Sequence, residues 1–324
     1  MLIIFSALLI GMLVLIWSAD KFVDGAAGLA RHMGISPLLV GMLVVGFGTS
    51  APEMLVSTVA ALQGSPGLGI GNAIGSNITN IGLVLGVTAI IVNLPIYSRV
   101  LKIELPIILF SGIAVYFLMI NGDGLSQLDG WILATSLVVT MSILTYLSVN
   151  SPAPILAAEA CAELPKVLPL KSSILWTLAG LVLLITSSKM LVWSATQIAH
   201  MLGVSDLVIG LTIVAIGTSL PELAAAITSA LKKETDFAVG TIIGSNIFNT
   251  LGVLAIPAII GVSHIPEGVM DRDMPIMLGI TALLLLLSIG FWQRFKITRK
   301  EGVILLGCFI GYQVLLYKQT IGTA

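Results

Sequence analysis

Two six-residue strings, "GTSAPE" at 48 to 53 and "GTSLPE" at 217 to 222, stand 169 residues apart in a chain of 324. The same offset superimposes "GNAIGSNITN" at 71 to 80 on "GTIIGSNIFN" at 240 to 249, Gly41 on Gly210, Gly34 and Ser36 on Gly203 and Ser205, and Pro106 on Pro275. Further along, an adjustment of three brings Asp129-Gly130 onto Glu301-Gly302. A chain that repeats itself at one fixed offset is a duplication and must fold as two like halves.

Composition says in what solvent the halves fold. Hydrophobic residues make up 57% and charged residues 10%, with a mean hydropathy of +1.09, which marks an integral membrane protein. Crossing a hydrocarbon core takes about 20 apolar residues as helix. Such runs fall at 2–19, 38–62, 68–92, 103–120, 128–148, 172–192, 206–231, 237–261, 273–293 and 301–318. A β-barrel would need short alternating segments, whereas these runs are continuously apolar. The expected fold class is an all-α membrane protein of ten transmembrane helices, with a first five-helix repeat over 1–148, a cytoplasmic linker over 149–171 and a second repeat over 172–324. An interfacial helix around 155–164 fits the linker. Five is odd, so the second half enters the membrane from the opposite side and the repeats are inverted. That architecture is a signature of secondary transporters, with substrate bound near midmembrane between the repeats.

Charge orients the chain. The connections after helices 1, 3, 5, 7 and 9 hold Lys21, Arg31, Arg99, Lys102, Lys166, Lys171, Lys232, Lys233, Arg294, Lys296, Arg299 and Lys300, against Lys189, Arg272 and Lys318 on the other face. The positive-inside rule then puts the first group in the cytoplasm and both termini outside, in the plasma (inner) membrane of a bacterium or archaeon. Trp17, Trp131, Trp176, Trp193 and Trp292 fall near helix ends, as an interfacial belt would. The first apolar run lacks a basic leader and matches an internal helix of the second half, so it reads as a membrane span and not a cleaved signal. A net charge of -1 argues against nucleic acid as partner. Cys161 and Cys308 are too few for a thiolate site, and His32, His200 and His264 show no ligand spacing.

The repeated motifs carry the chemistry. Pro52 and Pro221 lack an N–H and release the carbonyls of Gly48 and Gly217, so their helices should bend or break there. If the helix is near regular, Thr49 and Ser50 share a face with Glu53, as Thr218 and Ser219 do with Glu222. Asn72, Ser76 and Asn80 recur every fourth residue along one helix, matched by Thr241, Ser245 and Asn249. Gly71 with Gly75, and Gly240 with Gly244, are small-xxx-small surfaces suited to close helix approach. A carboxylate at midmembrane costs roughly 2.5–3.5 kcal/mol, yet no Lys or Arg lies within helices 2, 3, 7 or 8 to pair with Glu53 or Glu222. Two unpaired acids call for a cation between them, and hard oxygen ligands suit Na+, Ca2+ or Mg2+.

"GTSAPE" with "GNAIGSNITN", and "GTSLPE" with "GTIIGSNIFN", resemble the first and second alpha repeats of the cation/calcium antiporter superfamily, which includes the sodium/calcium exchangers. The resemblance covers the ten-helix chain. It implies a core of helices 2, 3, 7 and 8 around the ions, with helices 1 and 6 long, tilted and sliding across it. By motif position it implies Ca2+ bound by Glu53 and Glu222 with carbonyls near Thr49 and Thr218. It further implies Na+ sites from Ser50, Ser219, Ser76, Ser245 and Asn80, with carbonyls near Gly46 and Ala215. One position departs: where many members carry Asp, this chain has Asn249.

The expected function is secondary active antiport, exchanging Ca2+ for Na+, with inorganic cations and the lipid bilayer as partners and no cofactor. A Ca2+/H+ or other cation/H+ exchanger, with a glutamate carrying the proton, is the nearest alternative. A passive cation channel is more remote, because channels commonly use rotational symmetry. No phosphate-loop motif indicates an ATPase. An intramembrane hydrolase using Ser50 or Ser219 would lack a base.

Overall fold

The computed structural model describes residues 2–96, 100–120, 124–149, 168–201, 215–261, 264–289 and 295–322. Expectations for Arg99, Lys166, Gly203, Ser205, Gly210, Trp292 and Arg294, for linker residues 150–167 and for the start of helix 7 lie outside the described residues.

The apolar runs form helices α1 (Leu2–Met33), α2 (Pro37–Leu62), α3 (Pro66–Ile91), α4 (Val100–Ile120), α5 (Gln127–Val149), α6 (Leu170–Met201), α8 (Thr235–Ile260), α9 (Val269–Ile289) and α10 (Arg299–Gly322). Between α6 and α8, α7 is described as Ala215–Thr218 followed by Leu220–Leu231. Among the described residues nine helices are long and apolar enough to span a membrane, and the shorter apolar Leu220–Leu231 accompanies them.

The duplication is visible in element boundaries. Helix Ala51–Leu62 recurs as Leu220–Leu231, the turn of π-helix Val100–Glu104 as Val269–Asp273, and Leu105–Ile120 as Met274–Ile289. Asp129 and Glu301 also gain a reason for recurring. Asp129 accepts from the backbone N–H of Ser126 at 2.8 Å, and Glu301 accepts from that of Thr298 at 2.9 Å. Both hydroxyls bond the same carboxylates. Ser126 Oγ also accepts from the Asp129 N–H at 3.2 Å, completing a capping box at α5, while at α10 the Glu301 carboxylate supplies the cap.

Alternate connections gather at opposite ends of the bundle. Strand β1 (Leu94–Pro95), after α3, pairs antiparallel with β2 (Lys296–Ile297), before α10. At the same end Arg31 of α1 meets Glu234, which precedes α8, at 2.7 Å. At the other end Gln127 donates to the Ile259 carbonyl and Arg272 to Gln319.

Several expectations change. Lys21 and Arg31, assigned to a loop, lie inside α1, because that helix continues far past its apolar run to Met33. Hydropathy measures the hydrocarbon crossing, and a helix with a polar extension outlasts it. The same correction applies to Lys102 in α4, Lys171 and Lys189 in α6, Arg272 in α9 and Arg299, Lys300 and Lys318 in α10.

Packing divides the molecule. A large apolar cluster joins α2, α3, α4, α5, α8, α9 and α10 with Ala226 and Ala230 of α7. A smaller one is built on Leu15, Ala19, Phe22, Ala26 and Ala30 of α1 with Leu184 of α6, and reaches Val40, Val45, Ala225 and Phe237. α1 and α6 pack along each other, with Trp17 edge-on to Trp176 at 5.7 Å. At the centre, every residue of α8 from Phe237 to Ile247 is buried.

Candidate functional site

The central helices are broken where their motifs required. α2 passes through a π-turn at Gly41–Gly46, ends a helical turn at Thr49, and resumes at Ala51. Ser50 sits in the break at φ −81°, ψ −1°, and Ser219 does so in α7 at φ −92°, ψ 7°. The regular helix is interrupted at Ser50, although the Ser50 N–H still donates to the Gly46 carbonyl and the Met54 N–H to the Ser50 carbonyl, each at 3.1 Å. Pro52 and Pro221 occupy the first turns of the resumed helices, where a missing N–H costs nothing. Glu53 and Glu222 share those turns, where the helix dipole favours a negative charge.

Both glutamates are completely buried. None of their carboxylate oxygens has a hydrogen-bond partner among the described residues. The same holds for the hydroxyls of Ser50 and Ser219 and for the amide atoms of Asn80 and Asn249. Unpartnered buried polar atoms are rare in proteins, and here they concentrate on the two repeated motifs.

Other motif residues are tied down. Thr49 Oγ1 donates to the Val45 carbonyl at 3.0 Å and lies 3.2 Å from Ser245 Oγ. Ser245 Oγ is also 3.4 Å from the Gly46 carbonyl. Both hydroxyls stand beside Glu222 without meeting hydrogen-bond geometry to it. Asn72 donates to the Glu53 carbonyl at 3.4 Å. Ser76 is buried, Thr218 is half-buried with contacts of its own, and Ala215 opens the described part of α7. The π-turn beginning at Asn80 packs on Glu222's helix, and the one holding Asn249 packs on Glu53's.

Glycines permit this crossing. A methyl group on Gly240 or Gly244 would collide with the carbonyl of Leu38 or Met42, and one on Gly46 would come within 2.9 Å of Gly244. Among the described residues nothing approaches the Cβ positions of Gly71 and Gly75.

The freed carbonyls differ from expectation. Gly217's is taken by the Ser188 hydroxyl of α6 at 2.8 Å. Ser188 carries no motif, so nothing in its local sequence marks it. Asn77 and Asn246, inside both "GSN" strings, are also buried, and Asn77 donates to Thr250 at 2.8 Å. Their common position in the repeat was the available signal. Among the described residues no group of three His, Cys, Asp or Glu could hold a metal, so beyond two carboxylates any cation here would meet neutral oxygens.

A family model described as sodium/calcium exchanger protein matches residues 3–147 and 172–318. The chain belongs to that family. A relative named putative antiporter CaxA, from Alkalimonas amylolytica, is 44% identical over 95% of this chain and 97% of its own. Inner membrane protein YrbG of Escherichia coli (strain K12) is 39% identical over 98% of each. The solved structure of the sodium-calcium exchanger NCX_Mj soaked with 10 mM Na+ and zero Ca2+ matches with a TM-score of 0.81 at 31% identity, covering 96% of this chain and 98% of that one. The sodium/calcium exchanger fold is thus an all-α membrane fold here too, and family and fold together support cation antiport by a multi-pass membrane protein.

Proposed function

We propose that this exchanger moves Ca2+ against Na+ by alternating access, with the ions held between Glu53 and Glu222. The observation that carries the reading is the pair of fully buried carboxylates with no hydrogen-bond donor or counter-charge among the described residues. Two such charges in a dry interior persist only when a cation or a proton compensates them. Oxygens of Ser50, Ser219, Asn80 and Asn249, unpartnered in the same core, supply hard neutral ligands. Ser76, Ser245 and the carbonyls near Gly46, Thr49, Ala215 and Thr218 complete the proposed ligand set. Na+ and Ca2+ compete for the same carboxylates, so loading one expels the other, and inverted repeats offer the site to each face in turn. The charge distribution supports both termini facing outward.

Purified protein in vesicles loaded with Na+ should accumulate radiolabelled Ca2+ when diluted into Na+-free buffer. Uptake driven by an acidic interior and indifferent to Na+ would replace the reading with Ca2+/H+ exchange. Uptake without either gradient would replace antiport with a channel.

A further inference from the structure

An inverted repeat allows the second access state to be written down from the first: each contact is carried to its repeat counterpart on the opposite side. Contacts that survive the exchange are neutral between the two states. Contacts that do not survive bias the equilibrium.

Three ion pairs hold α1 to the turn between α7 and α8. Lys232 Nζ lies 2.7 Å from Asp20 and 2.6 Å from Asp24, and also donates to the Asp20 carbonyl at 2.9 Å. Arg31 meets Glu234 at 2.7 Å. Shifted by the repeat offset, Lys232 becomes Gln63, Asp20 becomes Lys189, Asp24 becomes Trp193 and Glu234 becomes Ser65. None of these combinations is an ion pair. The hydrogen bond from Ser188 to the Gly217 carbonyl maps onto Ala19 and Gly48, and alanine has no hydroxyl to give. The packing of the same helices does keep the symmetry. Gly11 of α1 faces Leu191 of α6, and Gly180 of α6 faces Phe22 of α1, each pair being the image of the other. These two apolar contacts survive the exchange, while the polar contacts named above do not.

We infer that Lys232, assisted by Ser188, is a positioning residue for transport: it holds the Lys232 end of the bundle closed at rest, so the site opens preferentially to the opposite face. The inference rests on the alternating-access reading, but not on which cations are carried. α1 and α6 pack along each other in a cluster that also takes in Val40, Val45, Ala225 and Phe237, and the polar contacts tie this helix pair to α7 and to the turn before α8. Partly exposed pairs contribute modestly one by one, and three together shift a two-state ratio by roughly three- to tenfold.

The test uses buried reporters one turn from each end: Ser229→Cys beside Lys232 and its repeat counterpart Ala60→Cys beside Gln63, in protein lacking Cys161 and Cys308. Both positions are buried, at 0% and 3% exposure, so a thiol reagent reads opening. Lys232→Gln, which removes two of the three pairs, should raise the reaction rate at 229 and lower it at 60, so that the ratio of the two rates shifts by about threefold. Gln63→Glu, which offers Lys189 the mirror-image pair, should do the same from the far side. Ser188→Ala should shift both rates in that direction by less, and Lys232→Arg should change neither. A rise at 229 with no fall at 60 is local loosening and overturns the inference, as does no change at either position. Wild-type vesicles that carry no Ca2+, with the reciprocal thiol shift intact, would overturn the ion assignment and leave this inference standing.

Discussion

Thr49 and Ser245, from opposite halves of the chain, bring their hydroxyls to 3.2 Å beside the Glu222 carboxylate. Thr49 is fixed by the Val45 carbonyl and Ser245 reaches the Gly46 carbonyl, so the contact ties the break in α2 to the centre of α8. Thr49→Val keeps the shape and removes the hydroxyl. A single buried hydrogen bond is worth about 1 kcal/mol, so the apparent ion affinity in vesicle flux should fall by roughly fivefold with expression unchanged.

Glu53→Gln and Glu222→Gln should each abolish Ca2+ flux while leaving the protein folded, because the amide preserves volume but removes the charge that compensates a desolvated dication. Ser50→Ala and Ser219→Ala remove one neutral oxygen apiece and should leave measurable flux. Wild-type Ca2+ flux in either glutamine variant would refute the central site. Size-exclusion profiles of the purified variants check the folding clause.

Gly244→Ala places a methyl group against the Met42 carbonyl, a backbone atom that cannot swing aside. Overpacking of this kind costs about 1–3 kcal/mol, so the melting temperature in detergent should drop measurably. Gly279→Ala, with open space at its Cβ, is the control and should melt as the wild type does.

With Asn at 80 and 249, the paired carboxylates give the ionised core a charge that one Ca2+ or two Na+ would balance. A third Na+ would leave charge uncompensated in low dielectric. Exchange by the wild type should accordingly be nearly independent of membrane voltage. Asn249→Asp should alter its dependence on Na+ concentration or pH. Strongly voltage-driven flux in the wild type, unchanged in the aspartate variant, would show that this position does not set the coupling.

The twelve-to-three split of Lys and Arg predicts that residue 232 faces the cytoplasm and residue 322 the outside. Single cysteines there, treated with an impermeant thiol reagent on intact cells, should label at 322 and not at 232. The reverse pattern would invert the molecule.

The spans, the duplication and the broken helices at Pro52 and Pro221 were legible because each follows from a local rule: hydropathy, self-similarity and a missing N–H. The length of α1 was not, since Asp20, Asp24 and Arg31 are ordinary polar residues until Lys232 and Glu234 arrive from over 200 positions away. Ser188 was hidden for the same reason. Its partner is a carbonyl exposed by a proline on another helix, and no pattern within α6 encodes that. Motif chemistry can be read along the chain, whereas contacts between segments far apart in sequence exist only in three dimensions.

The caps at Ser126–Asp129 and Thr298–Glu301 bear on how these helices meet the bilayer. The first backbone N–H groups of a helix have no partner within it, and in lipid an unmet donor is costly. α5 and α10 each close that end with residues drawn from their own first turn. The last helix of each half therefore carries its own cap in its sequence and does not borrow one from a neighbouring helix.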